Sequence, residues 1–329
     1  MTGLHQQVRR TIRHHGLAPP GARILVGLSG GSDSVALTRL LLDLAERGGF
    51  TVAGLAHMNH RLRASADKDE SFCRHFAQRH GLPIAVETVE VRAHAQSHAL
   101  SIEEAARRLR YAFLERAAAD IGADRIAVGH TQDDQAETFL LKLMRGAGLT
   151  GLAGIYPRRG AVIRPLLDVA DVALRAYLVT QGEPWVEDES NDDLDNPRNR
   201  VRHRILPELD QAAGGSTRPA IARAAALIRE DGQWLDESSD ERFRALAVWT
   251  ESGLEIERRD LAEMPTPVLR RVVLRAMRAA AGVHEVGLDH VEAVTALLSR
   301  AHGGVDVPGC RVELRGAKLV LLQQRGGRR

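Results

Sequence analysis

The stretch Ser29-Gly30-Gly31-Ser32-Asp33-Ser34 interrupts a short apolar run and is followed at once by a helical-looking segment. Two adjacent glycines let a backbone approach a ligand closely, and the first turn of the helix behind them offers unpaired N–H groups and a partial positive charge. Phosphate is the natural occupant of such a loop, with the hydroxyls of Ser29, Ser32 and Ser34 as additional donors. Asp33 repels a bare anion unless it binds Mg2+ or accepts a proton or an amine, so a metal-bridged nucleotide fits the arrangement. The loop has neither the G-x-x-x-x-G-K-[ST] spacing of a Walker loop nor GxGxxG. A second group of reactive side chains follows Gly129, where Asp134 and Glu137 lie one helical turn apart with Asp133 beside them. Thr131 followed three residues later by Asp134 is a helix-capping pattern, which explains part of this acid but not all of it. A carboxylate cluster next to a phosphate site needs a cation, and Mg2+ and an amine substrate are both candidates.

Other side chains are open to more than one reading. His57 and His60 in HMNHRLR, with His130 as a third imidazole, suggest a metal site, but no carboxylate or cysteine spacing completes a zinc set, and solvated loop histidines are the alternative. Arg107, Arg108 and Arg110 in EEAARRLRY either bind an anion or form a charged face paired at i,i+4 with Glu103 and Glu104. RNRVRHR (Arg198–Arg204) places several cations, among them Arg198, Arg200 and Arg202, behind an acidic loop; they either grip phosphates near a flipped-out base or pair with Glu187–Asp193. Arg271, Arg275 and Arg278, at i, i+4 and i+7, form one basic helix stripe that is either an RNA contact or a solvated face.

These residues need a scaffold, and four apolar β-like runs supply it, at Ile24–Leu28, Thr51–His57, Ile84–Val91 and Arg125–Gly129. Helical periodicity fills the intervals at Ser34–Glu46, Ser65–His80 and Ile102–Ala119, and Gly81 and Gly122 sit where helix C-terminal glycines belong. This alternation predicts a doubly wound α/β domain with a parallel sheet covered on both faces, whose ligands bind at the C-terminal ends of the strands. The loop at Ser29–Ser34 and the segments His57–Arg63 and His130–Glu137 all fall there. After Gly154 the alternation fades, and AAGGSTRP at Ala212–Pro219 reads as a boundary. We therefore expect a catalytic domain over residues 1–215 and a second, smaller, mainly helical domain over residues 216–329, with strand-like alternation near the end in VDVPGCRVELRGAKLVLLQQ. The closing QQRGGRR reads as a frayed tail.

Composition narrows the class. The chain has 329 residues and a formal net charge of +2, enough length for two cores. Lysine occurs only at positions 68, 142 and 318, so nearly every cation is arginine, which suits bidentate phosphate contacts or reflects a GC-rich genome. The two cysteines, Cys73 and Cys310, lie far apart and form no CxxC, which speaks against a zinc ribbon, an iron–sulfur ligand set or a disulfide scaffold and fits a reducing cytoplasm. No apolar stretch is long enough to span a bilayer and the N-terminus lacks a continuous apolar core, so a soluble, unprocessed chain is expected. Aromatic residues are sparse, which argues against broad single-strand stacking.

SGGSDS after a strand resembles the pyrophosphate loop of the N-type ATP pyrophosphatases. That resemblance implies an adenine nucleotide alpha hydrolase-like fold and cleavage of ATP between the α and β phosphates, with AMP placed on a substrate oxygen. Taken in order, SGGSDS, HMNHRLR, EEAARRLRY, GHTQDDQAETFLLKLMRGAGLTGL, RPLL and WVEDESNDDLDNPRNRVRHRILPEL resemble the tRNA(Ile)-lysidine synthetase family, densely in the earlier part of the chain and more loosely in the rest. The family uses ATP and free lysine to convert the wobble cytidine of the CAU-anticodon isoleucine tRNA to lysidine. By that resemblance Ser29, Gly30, Gly31, Ser32, Asp33, Ser34 and His57 bind ATP, and Asp33 serves Mg2+ or activation. Asp134 and Glu137, with His130, hold lysine, and Arg107 stabilises charge on the adenylated intermediate. Free lysine has a pKa of about 10.4 and must lose a proton before attack, so Asp134 and Glu137 are recognition groups, a proton acceptor, or one of each. Arg198, Arg200, Arg202, Arg271, Arg275 and Arg278 are the expected tRNA contacts, and a homodimer is compatible with the family. A tRNA thiolase of the same superfamily is the alternative, and it needs persulfide or cluster-bound cysteines. Two departures stand out. Arg61 occupies a position where the family usually has a small residue, often Gly. Longer members also carry a further C-terminal domain that contacts the acceptor stem, whereas this chain is expected to end before it.

Overall fold

The structure is a computed structural model that describes residues 3–62, 65–187, 194–251, 253–282 and 286–323. Arg63 of HMNHRLR, the acidic DESNDD stretch at 188–193 and the QRGGRR end at 324–329 lie outside the described residues. The chain divides into two compact units, Met1–Leu227 and Ile228–Arg329.

In the first unit, helix α1 (Gly3–His14) precedes strand β1 (Arg23–Gly27) and helix α2 (Ser32–Gly48). Strand β2 (Thr51–Asn59), helix α3 (Ala66–Arg79), strand β3 (Ile84–Thr88) and helices α4 (Val91–Ser97) and α5 (Ile102–Ile121) follow. The chain then returns through strand β4 (Arg125–Ala127) to helices α6 (Gln132–Leu143) and α7 (Leu149–Leu152), the short pair β5 (Arg158–Arg159) and β6 (Val162–Ile163), and helix α8 (Asp171–Gln181). Helix α9 (Pro197–Arg200) runs through a π-helical turn at Val201–Ile205 into α10 (Leu206–Ala213), and α11 (Arg218–Leu246) begins in this unit and continues into the second. The sheet order is β3-β2-β1-β4-β6-β5, parallel except for the antiparallel β5–β6 pair.

The alternation seen in the sequence therefore builds a doubly wound α/β sheet. Its strands run as nearly continuous apolar segments because both faces are covered: Ile24, Val26 and Leu28 pack against α2 residues such as Leu37, Leu40 and Leu41, while Leu25, Ala56 and Ile126 pack against Phe113, Leu114 and Ala117 of α5. The third expected strand, Ile84–Val91, is shorter than its apolar run, because Val91 begins α4 and buries against Ala95 and Ala105 instead. From β1 the chain winds outward to β2 and β3 and then returns to β4 on the other side of β1. The loops leaving β1 and β4 therefore part in opposite directions, which opens a crevice at the carboxyl edge of the sheet.

The second unit holds strands β7 (Val248–Thr250) and β8 (Gly253–Glu257), helices α12 (Arg258–Ala262), α13 (Thr266–Ala281) and α14 (Leu288–Leu297), and strands β9 (Gly303–Val307), β10 (Cys310–Arg315) and β11 (Lys318–Gln323). Helices supply more of its residues than strands do, as expected, and a sheet accompanies them. A five-stranded antiparallel sheet ordered β7-β8-β11-β10-β9 packs the apolar face of α13 (Val272, Val273, Ala276, Met277) against Leu254, Ile256, Val312 and Leu319. No described helix is long and apolar enough to cross a membrane.

Candidate active site

A cavity of about 610 Å3 lies at the carboxyl edge of the first sheet. Its floor is the loop between β1 and α2. Gly30 has φ +92°, a conformation side chains rarely adopt, and the backbone there lies in van der Waals reach of Phe72, Cys73 and Val186. The loop is laced internally: Ser29 N donates to Ser34 Oγ (3.1 Å), Ser34 Oγ donates to Gly31 O (3.0 Å), and Val186 N donates to Gly30 O (2.9 Å). Gly31 is the N-cap of α2 and no side chain caps that helix, so its first-turn N–H groups remain available to an anion. The end of β4 seats against the same turn, since a Cβ on Gly129 would lie 3.2 Å from Asp33 C and Ser34 N.

The opposite wall carries the acids. Thr131 and Asp134 form a capping box at the start of α6, with Asp134 Oδ2 accepting from Thr131 N (3.0 Å) and Thr131 Oγ1 accepting from Asp134 N (3.3 Å). One oxygen of Asp134 is thereby committed, and the other lies 3.8 Å from Arg202. Asp133 is structural: it accepts from Asp171 N (2.9 Å) and pairs with Arg218 (2.7 Å), joining α6 to the starts of α8 and α11. Glu137 is 0% exposed. Its Oε1 accepts from Arg202 Nε at 2.5 Å, whereas Oε2 makes no hydrogen bond and has Arg198 Nε at 3.5 Å. Burial pushes the Glu137 carboxyl above its ordinary range against the pull of Arg202.

Asp33, facing this group from α2, is pushed up to about 6 by burial and by the charge of Asp134. Asp171, which the sequence reading did not single out, is pushed up to about 8 by burial and then by Asp33 and Asp133, and its Oδ1 is buried without a hydrogen bond. The signal that would have found it is an Asp opening a helix directly after the fifth parallel strand. Together these side chains make a site short of positive charge at its acidic end, and among the described residues no group of three ligands is arranged to hold a metal by itself.

The basic and neutral side of the cavity comes from β2, β4 and α5. His57 is buried, and its Nδ1 lies 2.9 Å from Leu28 O. A carbonyl only accepts, so Nδ1 carries the proton and Nε2, which is buried without a partner, is a bare acceptor in the neutral ring. Burial lowers the pKa of His57 and holds the ring in that form. His60 is lowered to about 4 by burial and then by Arg110 and His57, and His130 falls well below its ordinary range through burial and the nearby Arg164, Arg110 and Arg198. His130 is therefore a neutral hydrogen-bonding group and not a cation.

The helix α5 arginines divide their roles. Arg108 forms the i,i+4 pair with Glu104 (2.7 Å), Arg107 is exposed with its guanidinium 5.1 Å from the Tyr111 ring centre, and Arg110 lines the cavity. Arg61 holds a left-handed conformation (φ +47°), which is why glycine suits that position; its backbone N–H donates to Asn59 Oδ1 (3.1 Å) and its guanidinium pairs with Glu90 (3.0 Å).

The structure brings Arg198 and Arg202 to the acidic wall of the cavity, while Arg200 Nη1 donates to the carbonyls of Leu194 (2.8 Å) and Asp195 (2.9 Å). Glu187, the described member of the acidic loop weighed as their partner, pairs with Arg175 at 2.8 Å. Arg271, Arg275 and Arg278 belong to α13 of the second unit. There Arg271 pairs with Asp236 (3.0 Å), Arg275 pairs with Asp240, and Arg278 is exposed.

A family described as the PP-loop domain matches residues 4–209. The tRNA(Ile)-lysidine synthase of Geobacter sulfurreducens is 39% identical over 89% of this chain and 63% of its own length. That of Symbiobacterium thermophilum is 37% identical over 93% of this chain and 66% of its own length. This chain thus spans just under two thirds of the length of both relatives. The tRNA(Ile)-lysidine synthase of Leifsonia xyli subsp. xyli is 38% identical over 91% of this chain and 89% of its own length. Among solved structures, the U34-tRNA thiolase NcsA from Methanococcus maripaludis with its [4Fe-4S] cluster superposes with a TM-score of 0.55 at 16% identity, covering 68% of this chain and 78% of that one, a likeness of fold alone. With a PP-loop domain matching across its first unit and relatives this similar along nearly its whole length, the chain belongs to the tRNA(Ile)-lysidine synthase family.

Proposed function

We propose that the protein joins free lysine to C2 of the wobble cytidine in the CAU-anticodon isoleucine tRNA at the expense of ATP. The observation that carries this reading is the juxtaposition, at one cavity, of an uncapped helix N-terminus behind a glycine loop and the carboxylates of Asp33 and Asp134, with Glu137 buried on the same helix as Asp134. The first groups suit a triphosphate and the second suit an ammonium.

The cytidine O2 attacks the α phosphorus, the bond to the β phosphate breaks, and pyrophosphate leaves. The lysine ε-amine then attacks C2, the C2–O2 bond breaks, and AMP departs. Loop amides and the Ser29, Ser32 and Ser34 hydroxyls hold the phosphates, and the His57 Nε2 acceptor meets a donor of the nucleoside. Asp33 would hold a Mg2+: burial and Asp134 make its negative charge unfavourable without a cation, and Mg2+ needs only one or two protein carboxylates. Such an ion would supply positive charge for the triphosphate. Arg110, which lines the cavity, and Arg107 of the same helix stabilise the phosphate charge of the adenylated intermediate. Asp134 and Glu137 are recognition groups for the amine, its proton acceptor, or one of each. Arg198, Arg200 and Arg202 of the first unit and Arg278 of the second contact tRNA. The reading includes a cytoplasmic location and a division of labour between a catalytic first part and an RNA-binding second part, and it leaves a homodimer to be tested by light scattering.

Incubation with ATP, labelled lysine and the CAU tRNA should yield AMP, pyrophosphate and RNA-bound lysine. ADP as product, or turnover without RNA, would overturn the reading. Sulfur in the product nucleoside by mass spectrometry would favour a thiolase, but burial pushes the Cys73 thiol up to about 12, which leaves it unreactive.

A further inference from the structure

The carboxylates assigned to lysine already face arginines assigned to RNA: Arg202 and Arg198 at Glu137, and Arg202 at Asp134. Glu137 is wholly shielded, so in this conformation nothing reaches it from the cavity. Its two oxygens are held differently. Oε1 is committed to Arg202 Nε at 2.5 Å, and Arg202 does not line the cavity. Oε2 makes no hydrogen bond, and the group over it is Arg198, whose Nε is 3.5 Å away, whose side chain is 38% exposed, and which lines the cavity beside Asp134. Arg198 is otherwise fixed by a 3.2 Å hydrogen bond from Nη2 to Thr138 Oγ1. An ammonium can reach Glu137 Oε2 only where the side chain covering that oxygen moves aside, and the one with no hydrogen bond to the carboxylate and a path to solvent is Arg198.

Building on the proposed reaction, we infer that Arg198 is an exchangeable plug of the amine subsite: the lysine ammonium takes its place at Glu137 Oε2 while an RNA phosphate takes the freed guanidinium. Arg202 stays in place and keeps Glu137 oriented. The two ligands are therefore thermodynamically linked through one side chain, each raising the affinity of the other by the same factor. Lysine enters a site that RNA has opened, so the amine is not committed before the cytidine is present.

The test is binding of radiolabelled lysine to the full chain with a non-hydrolysable ATP analogue, with and without an anticodon stem-loop of the CAU tRNA, for the wild type, Arg198→Gln and Arg198→Lys. The wild type should bind lysine at least about tenfold more tightly with the RNA, a coupling within the usual span for two linked sites. Arg198→Gln should bind lysine more tightly than the wild type without RNA and lose the dependence, and Arg198→Lys, which restores the cation, should regain most of it. Equal wild-type affinity with and without RNA, or an RNA dependence that Arg198→Gln leaves intact, overturns the plug. If the wild type then still transfers lysine to the tRNA, the proposed reaction stands and only the plug fails; absence of lysine binding and transfer in every form removes both.

Discussion

Replacing Glu137 by glutamine removes one negative charge from a wholly buried position while keeping its shape and an acceptor for Arg202. Unit charges at the observed 2.5 Å separation attract by about 6–7 kcal/mol in an effective dielectric of 20. Much of that is offset, because a buried carboxylate is poorly solvated and the amide retains one hydrogen bond. Arg202 is also 29% exposed and keeps Asp134 at 3.8 Å, so the loss should fall below the 3–5 kcal/mol typical of a fully buried broken pair, at about 2–3 kcal/mol. In a unit of this size that lowers the melting temperature by about 5–10 °C. Urea denaturation of Glu137→Gln, Arg202→Gln and the double variant gives the coupling energy directly, expected above about 1.5 kcal/mol. Lysine attachment should collapse in Glu137→Gln, while RNA-dependent pyrophosphate release persists, since the phosphate loop is untouched. A coupling below about 0.5 kcal/mol, within the ordinary error of additivity, would refute the assignment of this ion pair as the organiser of the acidic wall.

Gly129→Ala places a Cβ 3.2 Å from rigid backbone atoms of Asp33 and Ser34, so stability should fall by about 1–3 kcal/mol and the KM for ATP should rise; unchanged ATP kinetics would contradict the seating of β4 on the loop. Asp33 and Asp171 have folded-state pKa values raised to about 6 and about 8, above their unfolded values, so their stabilising contribution is full below about pH 4 and is lost as pH rises through those values. The ligand-free protein should therefore lose stability between about pH 4 and pH 8 more steeply than Asp171→Asn does, and identical pH profiles for the two would dismiss the Asp171 shift. Arg61→Gly relieves a left-handed backbone and loses only an exposed ion pair with Glu90, so melting should rise slightly or hold, by about 0–1 kcal/mol; a loss above 1 kcal/mol would mean that the Glu90 contact matters more than its exposure implies.

What was legible in the sequence was local. The glycine loop after β1, the Thr131–Asp134 cap and the first four strands each announce themselves within a few residues, because glycine conformation, capping and strand burial are short-range physics. The pairing of Arg202 with Glu137 joins residues 65 apart and has no local trace, and the basic run was accordingly weighed against the acidic loop beside it. Asp171 escaped notice because β5 and β6 are two residues each, too short to show a period that would mark the helix after them as facing the crevice. The sheet of the second unit was half visible: β9 to β11 alternate clearly, whereas β7 is three residues long and β8 five, directly after a 29-residue helical pattern. Among the α13 arginines, Arg271 and Arg275 look like a free stripe until α11 supplies Asp236 and Asp240 on a neighbouring face.

The glycine at the end of β4 has a broader implication. Because no side chain separates Gly129 from the first turn of α2, the strand that launches the acid-bearing helix and the helix behind the glycine loop are mated backbone to backbone. The two sides of the cavity are thus registered to one another like parts pressed onto a common shaft. Fine adjustment between reacting groups has to come from rotating long side chains, and an evolutionary change in spacing would require rebuilding both secondary-structure elements together.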